Sequence, residues 1–331
     1  MSRQYKLSKS KLLAFRQCPK RLWLQTHHPE RADYDDATTA IMAAGTEVGE
    51  VFRTLYPAGV LIDGEDLGDA LLKTRDLLQA EPKRPIFEAT LEACDVLVRV
   101  DMLSPEADGF RLVEVKSSTS VKPYHLDDAA IQTWVVTQAG IPVKQTAIAH
   151  IDSRFVYPGN SEFSGLFTEQ AIDPEVSERL PQVVRWVSDA KAMLAGDEPC
   201  ITAGDQCHQP FDCPFLAYCA PNVDEPEFPV EILPRNYRLV AQLKDEGYSD
   251  LREVPEERLA REIHRKVLRV TKSGQAELSD EGRRIARSLP YPRYYLDFET
   301  IAFAVPRWVG TRPYQQVPFQ FSCHVELAPG M

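Results

Sequence analysis

The sequence lacks several features that would assign a class at once. No apolar run approaches the roughly 20 residues of a membrane-spanning helix, and the opening residues MSRQYKLSKSK have no apolar core of a secretory signal. A cytoplasmic protein with no membrane partner is expected. No G-x-x-x-x-G-K-[ST] loop is present to cradle a nucleoside triphosphate, so no ATP-driven motor is encoded. Internal repeats and low-complexity tracts are missing, which excludes solenoid and fibrous classes. Basic residues are in the minority: 38 Lys and Arg against 49 Asp and Glu give a net charge of −11, which counts against a broad nucleic-acid surface. The shortage is uneven, however. Residues 1–29 carry seven Lys or Arg and no acid, and a second basic stretch runs from His264 to Lys272. Alone, each reads as a solvated face; beside a hydrolytic metal site, each becomes a set of phosphate contacts.

The 331 residues, 44% of them hydrophobic, allow two domains and a connector. SKSKLLAFRQCPKRLWLQ reads as one amphipathic helix capped by Ser8 or Ser10, followed by helices at about 36–56 and 65–80. In the second helix, Gly45 and Gly49 either admit a close neighbour or mark a weak helix. Strands near 85–92, 95–103 and 109–116, a helix over 127–140, and a strand at 144–151 predict a mixed sheet with a crossover helix. A long helix follows at 174–194. The Pro- and acid-rich stretch from 220 to 234 is the expected domain boundary, with a helical connector over 236–289 and a new strand at PRYYLDFETIAF.

The chemistry concentrates in VRVDMLSPEADGFRLVEVKSS, a predicted β-hairpin. Residues two apart on a strand share a face, so Glu114 and Lys116 project together, and Asp101 on the partner strand can meet them. Two acids and an ammonium at one point are costly unless a metal ion and a charged substrate join them. Phosphodiester hydrolysis needs that combination. A bare hairpin with a fortuitous Glu–Lys pair is the bland alternative.

The pattern Asp101…Glu114-Val115-Lys116 resembles the PD-(D/E)XK nuclease superfamily, in its RecB-like branch. Gln132 in AAIQTWVV resembles the glutamine that opens that branch's helical Q-motif, although Val136 stands where an aromatic is expected. The resemblance implies an α/β fold, a restriction-endonuclease-like mixed sheet flanked by helices, over roughly residues 8–220. It also implies Mg²⁺ or Mn²⁺ held by Asp101 and Glu114, with Lys116 orienting water or stabilising charge. A further metal ligand is expected on an upstream helix, where GTEVGE offers Glu50 or, less well, Glu47. The implied activity is that of a DNA nuclease, an exonuclease on single-stranded ends. A non-catalytic nucleic-acid-binding module, or a helical interaction scaffold, is the alternative.

The second constellation is CHQPFDCPFLAYC, with Cys207, Cys213 and Cys219 separated by five residues each. Three thiolates need a fourth ligand for a tetrahedral zinc or a cubane cluster, and Cys18 in QCPKRLWL is the natural candidate, with Cys200 as a substitute. The arrangement resembles the iron–sulfur branch of the same superfamily, similar to CRISPR-associated adaptation exonucleases and AddB-type nucleases. There one N-terminal and three C-terminal cysteines hold a [4Fe–4S] cluster; zinc is the alternative here. Cys94 and Cys323 read as small buried hydrophobes.

YYLDFETI places Asp297 and Glu299 on one face of a strand. It resembles the first metal-binding motif of DnaQ-like (DEDD, RNase H-like) exonucleases, and the combination is similar to uncharacterised bacterial proteins joining the two modules. Only about 35 residues remain after the motif. The expected organisation is therefore a nuclease domain at 1–220, a connector at 221–290 and an incomplete, inactive RNase H-like segment at 291–331.

Overall fold

The computed structural model describes residues 7–34, 36–64, 66–220 and 226–331, and gives the backbone alone for 36–42. The chain forms two compact units: Met1–Pro221 with Glu299–Phe319, and Asn222–Phe298 with Gln320–Met331. The segment 291–331, expected to stand by itself, is thus shared between them.

The first unit is a mixed sheet flanked by helices. In chain order it contains β1 (Leu7–Ser8), α1 (Lys9–Gln17), α2 (Pro19–His27), α3 (Asp36–Thr54), β2 (Val60–Leu61), α4 (Leu67–Gln79), β3 (Ile86–Ala93), β4 (Val96–Glu106), β5 (Gly109–Lys116), α5 (Pro123–Gln138), β6 (Val143–Ile151), β7 (Phe167–Ala171), α6 (Asp173–Leu194) and the short α7 (Leu216–Cys219). The strands run β2-β3-β4-β5-β6-β7, with β1 pairing onto β4. β4 and β5 form the expected hairpin, antiparallel from Met102–Val113 to Glu106–Gly109. β5 and β6 are parallel, joined across α5. Gly109 begins β5 at φ +157, and a side chain there would come within 2.5 Å of the Pro142 carbonyl that receives Phe110 N–H. Only glycine permits that approach.

Alternating apolar residues give the sheet two dry faces. One, with Leu103, Leu112 and Ile148, packs on Leu12, Ile131, Val135, Val183 and Val187 of α1, α5 and α6. The other, with Phe87, Met102, Val113 and Ala149, receives Phe52 of α3. Burying each of the larger of these side chains contributes about 1.5–3 kcal/mol.

The long first helix is in fact two. Cys18 adopts extended backbone (φ −160), closing α1 and opening α2, because Pro19 excludes helical conformation from the residue before it and supplies the first residue of α2. Ser8, whose side chain accepts from Lys11 N–H at 3.3 Å, is the cap. Among the described residues, an added side-chain carbon would meet nothing within 4 Å at Gly45 and only Arg53, at 3.8 Å, at Gly49, so neither admits a close described neighbour. The short strands β1, β2 and β7 carry too few residues for an alternation to show.

The second unit holds α8 (Tyr237–Asp245), α9 (Glu262–Ser273), α10 (Asp280–Ser288) and the outer part of the ribbon of β8 (Arg293–Ile301) and β9 (Val317–Glu326), whose loop-side ends belong to the first unit. Its core gathers Val230, Leu233, Leu243, Leu251, Val254 and Leu268. The loop between β8 and β9 belongs to the first unit. There Ala304 and Val305 bury against Val48, Ile151 and Leu166, Arg307 pairs with Glu47 at 3.2 Å, and the Tyr314 hydroxyl donates to the Ser117 carbonyl. Among the described residues, no helix is long and apolar enough to cross a membrane.

Candidate active site and cysteine centre

Glu114 and Lys116 lie at the end of β5 and face α5 and α1. The Lys116 ammonium donates to Glu114 Oε1 and to Asp128 Oδ2, both at 2.6 Å. Gln132 Nε2 donates to Glu114 Oε2 at 2.6 Å and Asp128 Oδ1 at 2.9 Å. Lys9, the first residue of α1, reaches the same two acids: its Nζ is 2.9 Å from Glu114 Oε1 and 3.2 Å from Asp128 Oδ1. Two ammoniums therefore straddle two almost fully buried carboxylates. Asp101 stands apart from this ring; its Oδ2 accepts the Val115 N–H at 2.6 Å.

The sheet is irregular here. β3 pairs Phe87 with Met102 and Ala89 with Val100, skipping Glu88 and Asp101, and the β4–β5 ladder stops one step short of Asp101 and Glu114. Glu88 has φ +55, a left-handed conformation that is uncommon for glutamate. Three acids thus occupy one level of three adjacent strands, where directly opposed like charges are unfavourable. Burial and then the charge of Glu114 push Asp101 up to about 8. Burial acts against the Glu114 carboxylate too, but Lys116 and Lys9 outweigh it and hold that group well below the usual range. Burial opposes both ammoniums, yet Asp128 and Glu114 keep them above the ordinary lysine value. Burial also raises Glu88, which has Arg53 of α3 at 4.0 Å.

Asp101, Glu114, Lys116 and Gln132 are thereby all placed at the end of one hairpin and the helix that follows it. Glu50 is not: it is exposed on α3, on the side away from the buried Val48 and Phe52, and no hydrogen bond or ion pair among the described residues joins it to the others. Glu47 is taken by Arg307. The acid level with Asp101 is Glu88. Sequence reasoning missed Lys9, Glu88 and Asp128. Only Asp128 carried a local signal, since it lies one helical turn before Gln132 and shares its face.

Among the described residues, no three Cys, His, Asp or Glu side chains are grouped so as to hold a metal ion by themselves. The acidic site nonetheless suits a hard cation of the Mg²⁺ type, which is bound through one or two carboxylates, waters and substrate phosphate rather than an all-protein cage. Asp101 and Glu114 supply such oxygens, and buried Gln132 Oε1 has no hydrogen-bond partner.

The four cysteines named from the sequence converge. Cys18, Cys207, Cys213 and Cys219 line one small cavity with Lys20, Arg21, Leu24, Ile201 and Phe215. Gln17, next to Cys18, donates to the carbonyls of Gln206 and Phe211, both at 2.7 Å, and Cys213 N–H donates to Cys207 O at 2.7 Å. Burial raises the thiols of Cys213 and Cys219, with the neighbouring cysteines adding to the effect. Four soft donors of the kind that zinc and iron–sulfur clusters take line this one cavity, although as they stand the thiols do not form a metal-holding group. Cys200 is exposed and outside this set. Cys94 and Cys323 are exposed too, not the buried hydrophobes expected.

Elsewhere, Asp297 and Glu299 are exposed on β8, and Asp297 Oδ1 accepts the neighbouring Phe298 N–H at 3.0 Å. The basic stretches are largely committed within the fold. Arg16 lies 4.2 Å above Trp186 and pairs with Asp127, Lys20 pairs with Glu198, and Arg265 and Arg269 pair with Glu262 and Glu277.

Fold and site define a mixed α/β domain with an acid–lysine–glutamine centre at one sheet level and a cavity lined by four cysteines. The family model described as a domain of unknown function (DUF2779) matches residues 294–331, the segment that carries β8 and β9. No curated protein matches the sequence. The solved structure of SSO0001 is similar at a TM-score of 0.33 and 14% identity, over 66% of this chain and 88% of that one, a level that carries no argument about function.

Proposed function

We propose that this chain is a metal-dependent DNA nuclease that hydrolyses phosphodiester bonds, acting as an exonuclease on single-stranded ends. The carrying observation is the joining of Lys116 and Gln132 on the buried Glu114, with Asp101 at the same level of the next strand. A Mg²⁺ or Mn²⁺ ion bound by Asp101 and Glu114 would supply Lewis acidity and lower the pKa of water. Gln132 fixes the rotamer of Glu114 by holding Oε2. Asp128 holds the Lys116 ammonium beside Glu114, so that this fixed positive charge lies where negative charge grows during attack on phosphorus. The four cysteines would hold a [4Fe–4S] cluster, with zinc as the alternative, clipping α1 and α2 to the chain near residue 219. All seven cysteines are unpaired, which supports a reducing, cytoplasmic setting.

The test is degradation of end-labelled single-stranded DNA with Mn²⁺ by the wild type beside Lys116→Ala and Glu114→Gln. Loss of activity by about 10²-fold or more in both variants is expected. Equal activity in all three proteins, or none in the wild type with its cysteine centre intact, would overturn the assignment.

A further inference from the structure

The reading above uses one lysine, but the geometry holds two. Lys9 and Lys116 donate to the same oxygen of Glu114, at 2.9 and 2.6 Å, and both reach Asp128. They come from different elements: Lys116 from the end of β5, Lys9 from the start of α1, 105 residues away from Glu114 in sequence. Their side chains are about equally accessible, 22% for Lys9 and 21% for Lys116. α1 is nine residues long and ends at Cys18. It is therefore a rigid strut of about 14 Å running from the acidic centre to the cysteine cavity.

We infer that Lys9 is a second active-site lysine, a counter-ion that yields Glu114 to the metal and then contacts a phosphate of the DNA. This rests on the nuclease reading for the DNA and on Asp101 and Glu114 as the metal's ligands. A divalent cation held by Glu114 would repel both ammoniums, which donate to that carboxylate. Asp128 can retain Lys116, which approaches it at 2.6 Å, more firmly than Lys9, at 3.2 Å. Lys9 is thus the one released, and a phosphate oxygen is the anion available to it. The anchoring of α1 at Cys18 sets where that ammonium stands, so the cysteine centre and the acidic centre are joined through one helix.

The experiment measures Mn²⁺ binding by titration calorimetry for the wild type, Lys9→Gln and Lys9→Arg, with cleavage of end-labelled DNA run in parallel. Removing a unit charge at this distance should tighten Mn²⁺ binding by about tenfold in Lys9→Gln, whereas Lys9→Arg, which keeps the charge, should match the wild type. The salt dependence of single-stranded DNA binding, measured with Ca²⁺, should fall by about 0.7 in log–log slope in Lys9→Gln. A purely structural lysine would not tighten metal binding. Unchanged or weaker Mn²⁺ binding in Lys9→Gln, no Mn²⁺ binding by the wild type, or an unchanged salt slope would overturn the inference. A wild type that cleaves DNA while Lys9→Gln binds Mn²⁺ no tighter refutes the role of Lys9 and leaves the nuclease reading standing. Tighter Mn²⁺ binding in Lys9→Gln beside a wild type that cleaves nothing does the reverse.

Discussion

The pairing of Lys116 with Asp128 can be measured without any assay of activity. Its two ions are 2.6 Å apart, with 5% of the Asp128 side chain and 21% of Lys116 exposed. Coulomb's law at an effective dielectric of about 20 gives roughly 6 kcal/mol at that separation. Three features of the site reduce the measurable part. Water reaches the lysine, Glu114 remains as its second acceptor, and Lys9 remains as a second cation for Asp128. A double-mutant cycle of Lys116→Met, Asp128→Asn and the double variant should therefore return a coupling of about 2 kcal/mol, well above the 0.2–1 kcal/mol of exposed pairs. Urea unfolding in buffer free of divalent cations, followed by tryptophan fluorescence, is the assay. Trp23, Trp134, Trp186 and Trp308 are the four tryptophans of the chain and all lie in the first unit, so the signal reports that unit alone. A coupling below about 0.5 kcal/mol would mean that Asp128 and Lys116 behave as a surface pair, and the site would lose its organising acid.

Other outcomes follow from the same geometry. Anaerobically purified protein should be brown and bleach on reduction, and Cys213→Ser should abolish the colour; a colourless protein containing zinc would refute the cluster. His125 is buried, its Nδ1 accepts Lys122 N–H at 3.1 Å, and burial, followed by Lys116, depresses it from 6.5 to about 4. The unfolded chain then binds the extra proton between those values. Stability should be complete above about pH 6.5 and fall by at most about 3 kcal/mol as pH drops to 4, and a His125→Gln variant should lose that slope in the fluorescence-monitored unfolding. Glu50→Gln and Asp297→Asn should each leave DNA cleavage within about twofold of the wild type, as expected of substitutions at exposed positions; a tenfold loss in either would restore that residue to a metal site.

The hairpin, α5, β6 and α6 were legible in the sequence because each has a long, unbroken period: alternating apolar residues in VLVRVDML and FRLVEV, and helical spacing in the crossover. The convergence of the four cysteines on one cavity was legible in part, since the even spacing of Cys207, Cys213 and Cys219 called for a fourth partner and Cys18 was the candidate, but the helix break at Cys18 was not read. Glu50 misled because a motif order along the chain does not carry helix phase. With Val48 and Phe52 buried, a residue two positions from each must turn outward. Glu88 was hidden for a different reason. Its strand reads as regular, and the slip that sets it level with Asp101 exists only in the paired sheet. Lys9 could not be found locally at all, since nothing in SKSK specifies an acid met across 105 residues of chain.

The balance of charge at the site also bears on what it accepts. Asp101, Glu114 and Asp128 face Lys9 and Lys116, and Glu88 has Arg53 beside it. Three carboxylates against two ammoniums leave one negative charge in a largely buried place, which a proton kept on Asp101 would remove. That is the direction in which Asp101 is pushed. A divalent cation would displace the proton and leave one positive charge. A phosphodiester, with its single negative charge, brings the buried site to neutrality, whereas a terminal phosphate monoester, with nearly two, would overshoot. On the proposed nuclease reading, an internucleotide linkage rather than an end phosphate would then be the group attacked. Removing a terminal 5′-phosphate from the DNA should then leave the rate of chain degradation within about threefold of its starting value, a difference too small for a lost charge pair in a desolvated site. A drop of a hundredfold would mean that the end phosphate, not the diester, is what the two lysines await.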